Sequence, residues 1–206
     1  IKEICDIVHP QMAIVTAVGA QHLESFKTIE NVQRTKFELV DALPADGFAV
    51  VNNDFPYVAN REVSNVACKR YSVGEQSTGD YKAVNIEYSA QGTSFTIEGE
   101  GKTITLTTKL VGECNISNLM AAVIMALHLG VPEQKIKYAV SKIEQVEHRL
   151  NVKRTASGIT IIDDAFNSNP DGSRMALDVL GGMKGGRRIV ITPGMIELGD
   201  KQEYFN

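Results

Sequence analysis

MAIVTAV, residues 12–18, is an apolar run closed by Gly19, and it decides the fold together with FAVV at residues 48–51. Continuous apolar runs of this length are typical of strands that a parallel sheet buries on both faces. Residues 28–43, which lie between the two runs, carry apolar side chains at helical spacing until Pro44 ends the helix. The order strand, helix, strand predicts an α/β fold.

The pattern changes to alternation between Tyr81 and Leu106. Apolar residues there are separated by polar ones, and glycines punctuate them, so we predict an antiparallel meander. Residues 115–129 are apolar nearly all round, which is typical of a buried helix, and Pro132 begins a further helix. We therefore expect residues 1–146 to form one unit, with a mostly parallel central sheet and an antiparallel meander.

A second unit is predicted over residues 147–206. Within it we expect a strand at Ile159–Ile162, a helix at Asp171–Leu180 and a strand at Arg188–Thr192, which together would open a doubly wound sheet. The four glycines at 181, 182, 185 and 186 precede the second strand and lack GxxxxGK[ST] spacing. A flexible turn is therefore favoured there over a phosphate-binding loop.

Composition excludes several classes of protein. The 206 residues are 43% hydrophobic and 22% charged, the balance of a soluble globular protein, and a net charge of −4 offers no basic patch for nucleic acid or an anionic membrane surface. No apolar run approaches the roughly 20 residues of a membrane-spanning helix, and charges among the first ten residues argue against a signal peptide. Three cysteines without CxxC spacing indicate a reducing cytoplasm, and we expect a monomer.

Lys36 is the most informative single residue because it interrupts an apolar helical stripe. It lies four residues after Val32 and four before Val40, and both of these belong to the stripe. A lysine in that position must extend its amine to solvent, pair with a carboxylate or be chemically altered. Helix geometry alone favours the first of these.

Polar residues that follow two predicted strands are candidate ligand-binding groups. His22 comes after the first strand of the chain, and Asp163 and Asp164 end the strand that begins at Ile159. Loops at the carboxyl ends of parallel strands are where α/β proteins bind ligands, and an imidazole there can ligate a metal or transfer a proton. The structural alternatives are a merely polar loop histidine and a polar turn in which Asp171 caps the next helix.

Two asparagines lie at the start of the apolar helix. Asn115 and Asn118 are three residues apart, on one face and near the positive end of the helix dipole. Asn115 can be explained as an N-cap, whereas Asn118 lies a turn inside a helix expected to be buried, where its amide needs partners such as a bound purine. Arg149, between the two units, can clamp a phosphate or be a surface arginine.

Taken in order along the chain, these segments resemble the motifs of the Mur ligase family. The resemblance is carried by TAVGAQHLE at 16–24, TKFEL at 35–39, GECNISNLMAA at 112–122, EHRL at 147–150 and DDAFNSNP at 163–170. In the family the third of these reads GxHNxxNxxAA, so Cys114 replaces the usual histidine while both asparagines are retained. The match implies an ATPase central domain over residues 1–146 and a doubly wound, Rossmann-like C-terminal domain over residues 147–206.

The resemblance further implies an active site that depends on ATP and Mg²⁺. His22 matches the histidine that binds a magnesium ion. Lys36 matches the lysine that many members carbamylate, which turns an ammonium into a carboxylate-like magnesium ligand. These two are therefore the expected catalytic and metal-binding residues. The residues expected to hold the nucleotide are Asn115, Asn118, Arg149, Asp164 and Asn167.

Two segments narrow the resemblance within the family. NSNP at 167–170 and GMIELG at 194–199 are similar to the member that joins D-Ala-D-Ala to UDP-N-acetylmuramoyl-tripeptide. That resemblance implies ligation through an acyl phosphate, in the cytoplasmic synthesis of the peptidoglycan precursor. The alternatives are another amide ligase on this scaffold, either the third-residue-adding ligase or a folylpolyglutamate synthase, and a non-catalytic nucleotide-binding protein.

Two parts of the family pattern are not among the 206 residues. A uridine-nucleotide-binding N-terminal domain and a GTNGKT-type phosphate loop, with the glutamate that follows it, would precede Ile1. The C-terminal domain would continue beyond Asn206. We therefore expect the 206-residue chain alone to lack ligase activity.

Overall fold

A mixed sheet of six strands forms the centre of the computed structural model, which describes residues 1–74, 78–89 and 92–206. The strands lie side by side in chain order; the first four are parallel, and the last two run antiparallel to their neighbours. They are β1 Met12–Val15, β2 Phe48–Asn52, β3 Ala67–Val73, β4 Tyr81–Ser89, β5 Gly92–Gly99 and β6 Lys102–Thr108. The predicted mostly parallel sheet with an antiparallel meander is confirmed, although residues 90–91 of that meander lie outside the described ranges.

Helices cover both faces of this sheet. The helices among the described residues are α1 Lys2–Val8, α2 Leu23–Phe26, α3 Ile29–Asp41, α4 Pro56–Ala59, α5 Glu113–His128, α6 Glu133–Lys142, α7 Pro170–Gly182 and α8 Gln202–Phe205. α3 begins where the sequence predicts, because the Thr28 side chain accepts a hydrogen bond from the Asn31 amide at 3.3 Å. None of the described helices is long and apolar enough to cross a membrane.

β2 is buried on both faces, which explains its uninterrupted apolar sequence. Phe48 and Val50 pack in a cluster that contains residues of α5 and α6, whereas Ala49 and Val51 pack in a second cluster that contains residues of α3. The four side chains are at most 4% exposed. Period-two alternation along the strand thus divides its side chains between two cores.

β1 lies at one edge of the sheet and is buried on one face. Ala13 and Val15 are buried, whereas Met12 and Ile14 on the other face are exposed by about a third. The strand ends at Val15, three residues before the predicted end at Val18. The apolar residues that follow leave the sheet and lead into the loop that carries His22.

The second unit differs from the prediction. β7 Asn151–Arg154 pairs antiparallel with β8 Thr160–Asp163, and α7 follows. The strand predicted at Arg188–Thr192 is wrong: within the described residues it pairs with no other strand, and Ile191 is 95% exposed. An apolar run becomes a strand only when a neighbour accepts its backbone hydrogen bonds, and β8 pairs with the preceding β7 instead.

α7 matches the predicted helix, but its cap differs from the alternative considered above. The Asn169 side chain accepts a hydrogen bond from the Gly172 amide at 3.0 Å, and Pro170 is the first helical residue. Asp171 already lies in the first turn, so the interpretation of Asp171 as the cap is wrong.

We expect Ile124→Ala to lower the free energy of unfolding of the 206-residue chain by about 2–5 kcal/mol, because it leaves a cavity between α5 and the sheet. Ile124 is 1% exposed, whereas Leu129 at the end of the same helix is 58% exposed. Leu129→Ala is therefore the control, and denaturant unfolding followed by circular dichroism is the measurement. Equal losses for the two variants would contradict the described packing of α5.

Candidate active site

The carboxyl ends of β1 and β2 border a cavity of about 670 Å³, which we term the first cavity. The loops after the two strands line one side, at residues 18–20 and 54–57, and the start of α7 lines another. The approach is close at Gly19, where a Cβ atom would lie 2.5 Å from Oδ2 of Asp171. A space of ligand size therefore lies where α/β proteins bind ligands.

A polar network follows β2 at the edge of the first cavity. Asp54 accepts hydrogen bonds from the Val73 amide at 3.0 and 3.2 Å, and burial, opposed by that amide and reinforced by the Glu113 carboxylate, raises the pKa of Asp54 to about 6. Asn52 donates to Ser117 Oγ at 2.9 Å and accepts from the Asp54 amide at 2.9 Å. Sequence reasoning did not select these residues, although Asn52 ends the buried strand β2 and Asp54 lies two residues further on.

Lys36 lies half-buried on α3, between the buried side chains of Val32 and Val40. Its amine donates a hydrogen bond to the Ala17 carbonyl at 2.9 Å. Burial lowers the pKa of Lys36, and no carboxylate of the described residues forms an ion pair with it. The amine thus neither reaches solvent freely nor pairs with an acid; it contacts the loop that leads from β1 to His22.

His22 is the residue that precedes α2, and its backbone is left-handed, with φ of 53°. Its Nδ1 atom is in hydrogen-bonding contact with Oε2 of Glu197. The two side chains border a second cavity, of about 370 Å³, together with residues 167–169. Asn167, predicted to bind the nucleotide, therefore lines the same cavity as His22.

The asparagines of α5 differ from the prediction in burial. Asn118 is exposed, so the expectation that its amide is buried and needs partners is wrong; it faces away from the core that the rest of α5 forms. Asn115 is half-buried, and its amide donates to the Val111 carbonyl at 2.8 Å. It is not the N-cap, because Gly112, with φ of 88°, occupies that position.

A set of contacts ties residues 148–150 to residues 163–166. His148 Nδ1 lies 3.0 Å from Oδ2 of Asp163, and that hydrogen bond lowers the pKa of the Asp163 carboxyl. The Leu150 amide donates to Asp164 Oδ1 at 2.9 Å. The Arg149 guanidinium lies 4.4 Å from the centre of the Phe166 ring, a cation–π contact.

Leu150, one of the residues in this set of contacts, also lies close to the start of α5. A Cβ atom on Gly112 would lie 2.4 Å from Cδ2 of Leu150 and 3.2 Å from Cγ2 of Val179 on α7. Leu150 itself is 5% exposed. Arg149 and Asp164 are therefore held together next to the start of the helix that carries Asn115 and Asn118.

The fit of a magnesium ion depends on modification of Lys36. In the ranges that the structure describes, no three His, Cys, Asp or Glu side chains lie together as they would around a metal ion. His22 and Lys36 as they stand offer two nitrogen atoms, whereas magnesium prefers oxygen ligands. A carbamate on Lys36 would supply oxygen, so these residues suit magnesium only in the modified form.

The family of the chain follows from comparison with known proteins. The description "Mur ligase middle domain" matches residues 2–126, which include the six-stranded sheet and most of α5. The chain belongs to the Mur ligase family.

Individual relatives extend the likeness beyond the middle domain. UDP-N-acetylmuramoyl-tripeptide–D-alanyl-D-alanine ligase of Bacillus subtilis is 27% identical over 201 residues, which are 97% of this chain and 43% of that protein. The crystal structure of MurF from Acinetobacter baumannii has a TM-score of 0.86 at 29% identity, covering 98% of this chain and 44% of its own. MurF of Thermotoga maritima in complex with ADP, at 22% identity, 99% and 46% coverage and a TM-score of 0.83, is alike in fold. The chain spans less than half the length of these relatives.

We expect Asp54→Asn to stabilise the chain progressively, relative to the unchanged sequence, as the pH rises from about 4 to about 7. Because the pKa of Asp54 is raised to about 6 in the folded state, folding is favoured when the carboxyl is protonated, and that contribution is lost as the pH rises through 6. The asparagine cannot ionise. The measurement is the difference in unfolding free energy at each pH, with the exposed Asp46→Asn as control. A pH-independent difference for Asp54→Asn would contradict its raised pKa.

Proposed function

We propose that the chain forms the ATP-binding part of a ligase that joins D-Ala-D-Ala to UDP-N-acetylmuramoyl-tripeptide in peptidoglycan precursor synthesis, in the cytoplasm. Residues 1–146 are its central domain, and residues 147–206 belong to its C-terminal domain. One observation carries the proposal: Arg149, which contacts Phe166, and Asp164, which accepts a hydrogen bond from the Leu150 amide, lie beside the start of α5. The relatives of the chain bear this activity in their names.

The nucleotide is proposed to lie across the junction of the two domains. Among the described residues, Asp164 Oδ2 and the Asn118 amide have no hydrogen-bond partner, and the Arg149 guanidinium has no carboxylate partner. These free polar groups can receive a base, a ribose hydroxyl and a phosphate. Asn167 is exposed in a left-handed conformation at the second cavity and completes the proposed set.

Lys36 is proposed to be a carbamate in the active enzyme. Its uncharged amine would add to the carbon of CO₂ and release one proton, which yields a carboxylate on the Lys36 nitrogen. The half-buried position, with a carbonyl as the amine's partner, disfavours a permanent ammonium. His22 and this carbamate would hold Mg²⁺, which would spread the charge of the transferring phosphoryl group.

The proposed reaction forms one amide bond per ATP. The terminal carboxylate of the tripeptide attacks the γ-phosphorus of ATP, and ADP leaves. The uncharged amine of D-Ala-D-Ala then attacks the acyl carbon of the acyl phosphate, and phosphate leaves from the tetrahedral intermediate as the attacking nitrogen loses one proton and keeps the other as the amide N–H. Arg149 and Asp164 orient the nucleotide for the first step, and closure of the C-terminal domain excludes water from the acyl phosphate.

The direct test is phosphate release by the product of the whole gene. Phosphate should appear only when D-Ala-D-Ala and UDP-N-acetylmuramoyl-tripeptide are both present. Release with a single amino acid and a dipeptide precursor would favour the third-residue-adding ligase, and release with a folate and glutamate would favour a folylpolyglutamate synthase. ATP binding without turnover on any of these substrates would favour a non-catalytic nucleotide-binding protein.

In the whole gene product, Lys36→Ala should nearly abolish ligation without unfolding the protein, because it removes the carboxylate proposed to bind magnesium. Lys36→Glu should restore part of the rate, and ¹³C-labelled bicarbonate should give a carbamate resonance that Lys36→Ala lacks. Arg34→Ala, an exposed change on the same helix, is the control. If Lys36→Ala ligated at the unchanged rate, the carbamate would have no role.

Asn118→Ala and Asp164→Ala should each weaken ATP binding by about 1–3 kcal/mol and so raise the KM for ATP, because each removes a polar partner of the bound nucleotide. The measurement is the KM of the whole gene product for ATP and for D-Ala-D-Ala. Gln134→Ala, an exposed amide on α6, is the control. Equal losses for ATP and D-Ala-D-Ala would mean that the two residues do not bind the nucleotide.

A further inference from the structure

Glu197 and His22 both line the second cavity, where their side chains are in contact although they are far apart in the sequence. Oε2 of Glu197 is in hydrogen-bonding contact with Nδ1 of His22, 175 residues away in sequence. Both backbones are left-handed, with φ of 63° at Glu197 and 53° at His22. Residues other than glycine hold this conformation when surrounding contacts determine it.

The residues around Glu197 fix its position against the start of α2. Leu198 is 1% exposed, and a Cβ atom on Gly199 would lie 3.8–3.9 Å from the Leu23 and Glu24 backbone, which is ordinary contact distance. The Leu198 amide also donates to the Gln202 side chain at 3.2 Å. Glu197 therefore contacts His22 from a segment that packs against Leu23 and Glu24, the first two residues of α2.

The contact leaves one nitrogen of His22 available. Among the described residues, Nε2 of His22 has no hydrogen-bond partner, while Nδ1 has the Glu197 carboxylate. A carboxylate accepts and does not donate, so the proton of the neutral ring must lie on Nδ1. The lone pair then lies on Nε2, which is the arrangement in which a histidine binds a metal ion while a carboxylate orients its ring.

We propose that Glu197 is a positioning residue that fixes the Nδ1–H tautomer and the ring orientation of His22, so that Nε2 is presented to the metal ion. The proposal deepens the proposed function, on which its metal-binding part rests. Under this proposal the segment that contains Glu197 contributes to the metal site. The imidazole ring of His22 is fully oriented only while residues 197–199 are packed on the start of α2.

The tautomer of His22 can be read directly in the 206-residue chain. Nitrogen-15 NMR of imidazole nitrogens, recorded at about pH 9 where unperturbed imidazoles are neutral, distinguishes Nδ1–H from Nε2–H. The chain has four histidines, and His22→Gln assigns the signal of interest. His22 should be mainly Nδ1–H, and Glu197→Met, which keeps the length of the side chain without an oxygen, should make Nε2–H the major form.

Two further variants separate orientation from folding. Glu197→Ala should change the tautomer as Glu197→Met does, while Glu203→Ala, an exposed carboxylate in the same terminal segment, should leave it unchanged. The signals of the other three histidines report whether each variant is folded. A His22 ring that is mainly Nε2–H in the unchanged chain, or that stays Nδ1–H in both folded Glu197 variants, would overturn the proposal.

The metal-binding part is tested in the whole gene product. Glu197→Met should raise the Mg²⁺ concentration needed for half-maximal ATP turnover by about 10- to 100-fold, the usual effect of removing a carboxylate that orients a metal-binding histidine. An unchanged Mg²⁺ requirement would overturn this part of the proposal. If no ligase activity were found at all, the proposed function would fail, whereas the tautomer measurement would still decide the role of Glu197.

Discussion

Burial of β2 on both faces is the constraint on which the rest of the structure depends. With Phe48 and Val50 in one core and Ala49 and Val51 in the other, the strand has no face on which a functional side chain could stand. Polar groups at β2 are therefore confined to its last residue, Asn52, and to the residues that follow it. The Asn52–Asp54 network is a consequence of this confinement.

The sheet and its main helices were predictable because their signals are local. Apolar runs, helical spacing and alternation report burial directly, and they located β1, β2, the meander, α3 and α5. The strand expected at Arg188–Thr192 failed because a strand depends on a partner, and no property of an apolar run says which segment will pair with it. β3 was missed for a similar reason: its sequence, ACKRYSV, contains two basic residues, and only its neighbours make it a strand.

The candidate site was predictable as residues but not as contacts. Their places in the predicted elements and the family motifs selected His22, Lys36, Arg149 and Asp164, whereas the partners that hold them follow from the fold. Arg149 stacks on Phe166, and His22 meets Glu197, from segments whose separation along the chain gives no hint of proximity. Burial of a single side chain was also beyond the sequence, since Asn118 lies on the exposed side of a helix that is apolar nearly all round.

The position of β1 at the edge of the sheet has a consequence for handling the protein. An edge strand carries a row of backbone donors and acceptors with no internal partner, and charged or bulged edges usually prevent two molecules from joining there. The solvent-exposed side chains of β6, at the opposite edge, are lysine and threonine, whereas those of β1 are Met12 and Ile14. We therefore expect the chain produced by itself to be prone to self-association through this edge. Aggregation should increase with protein concentration, and a charged residue in place of Ile14 should improve the solubility of the chain.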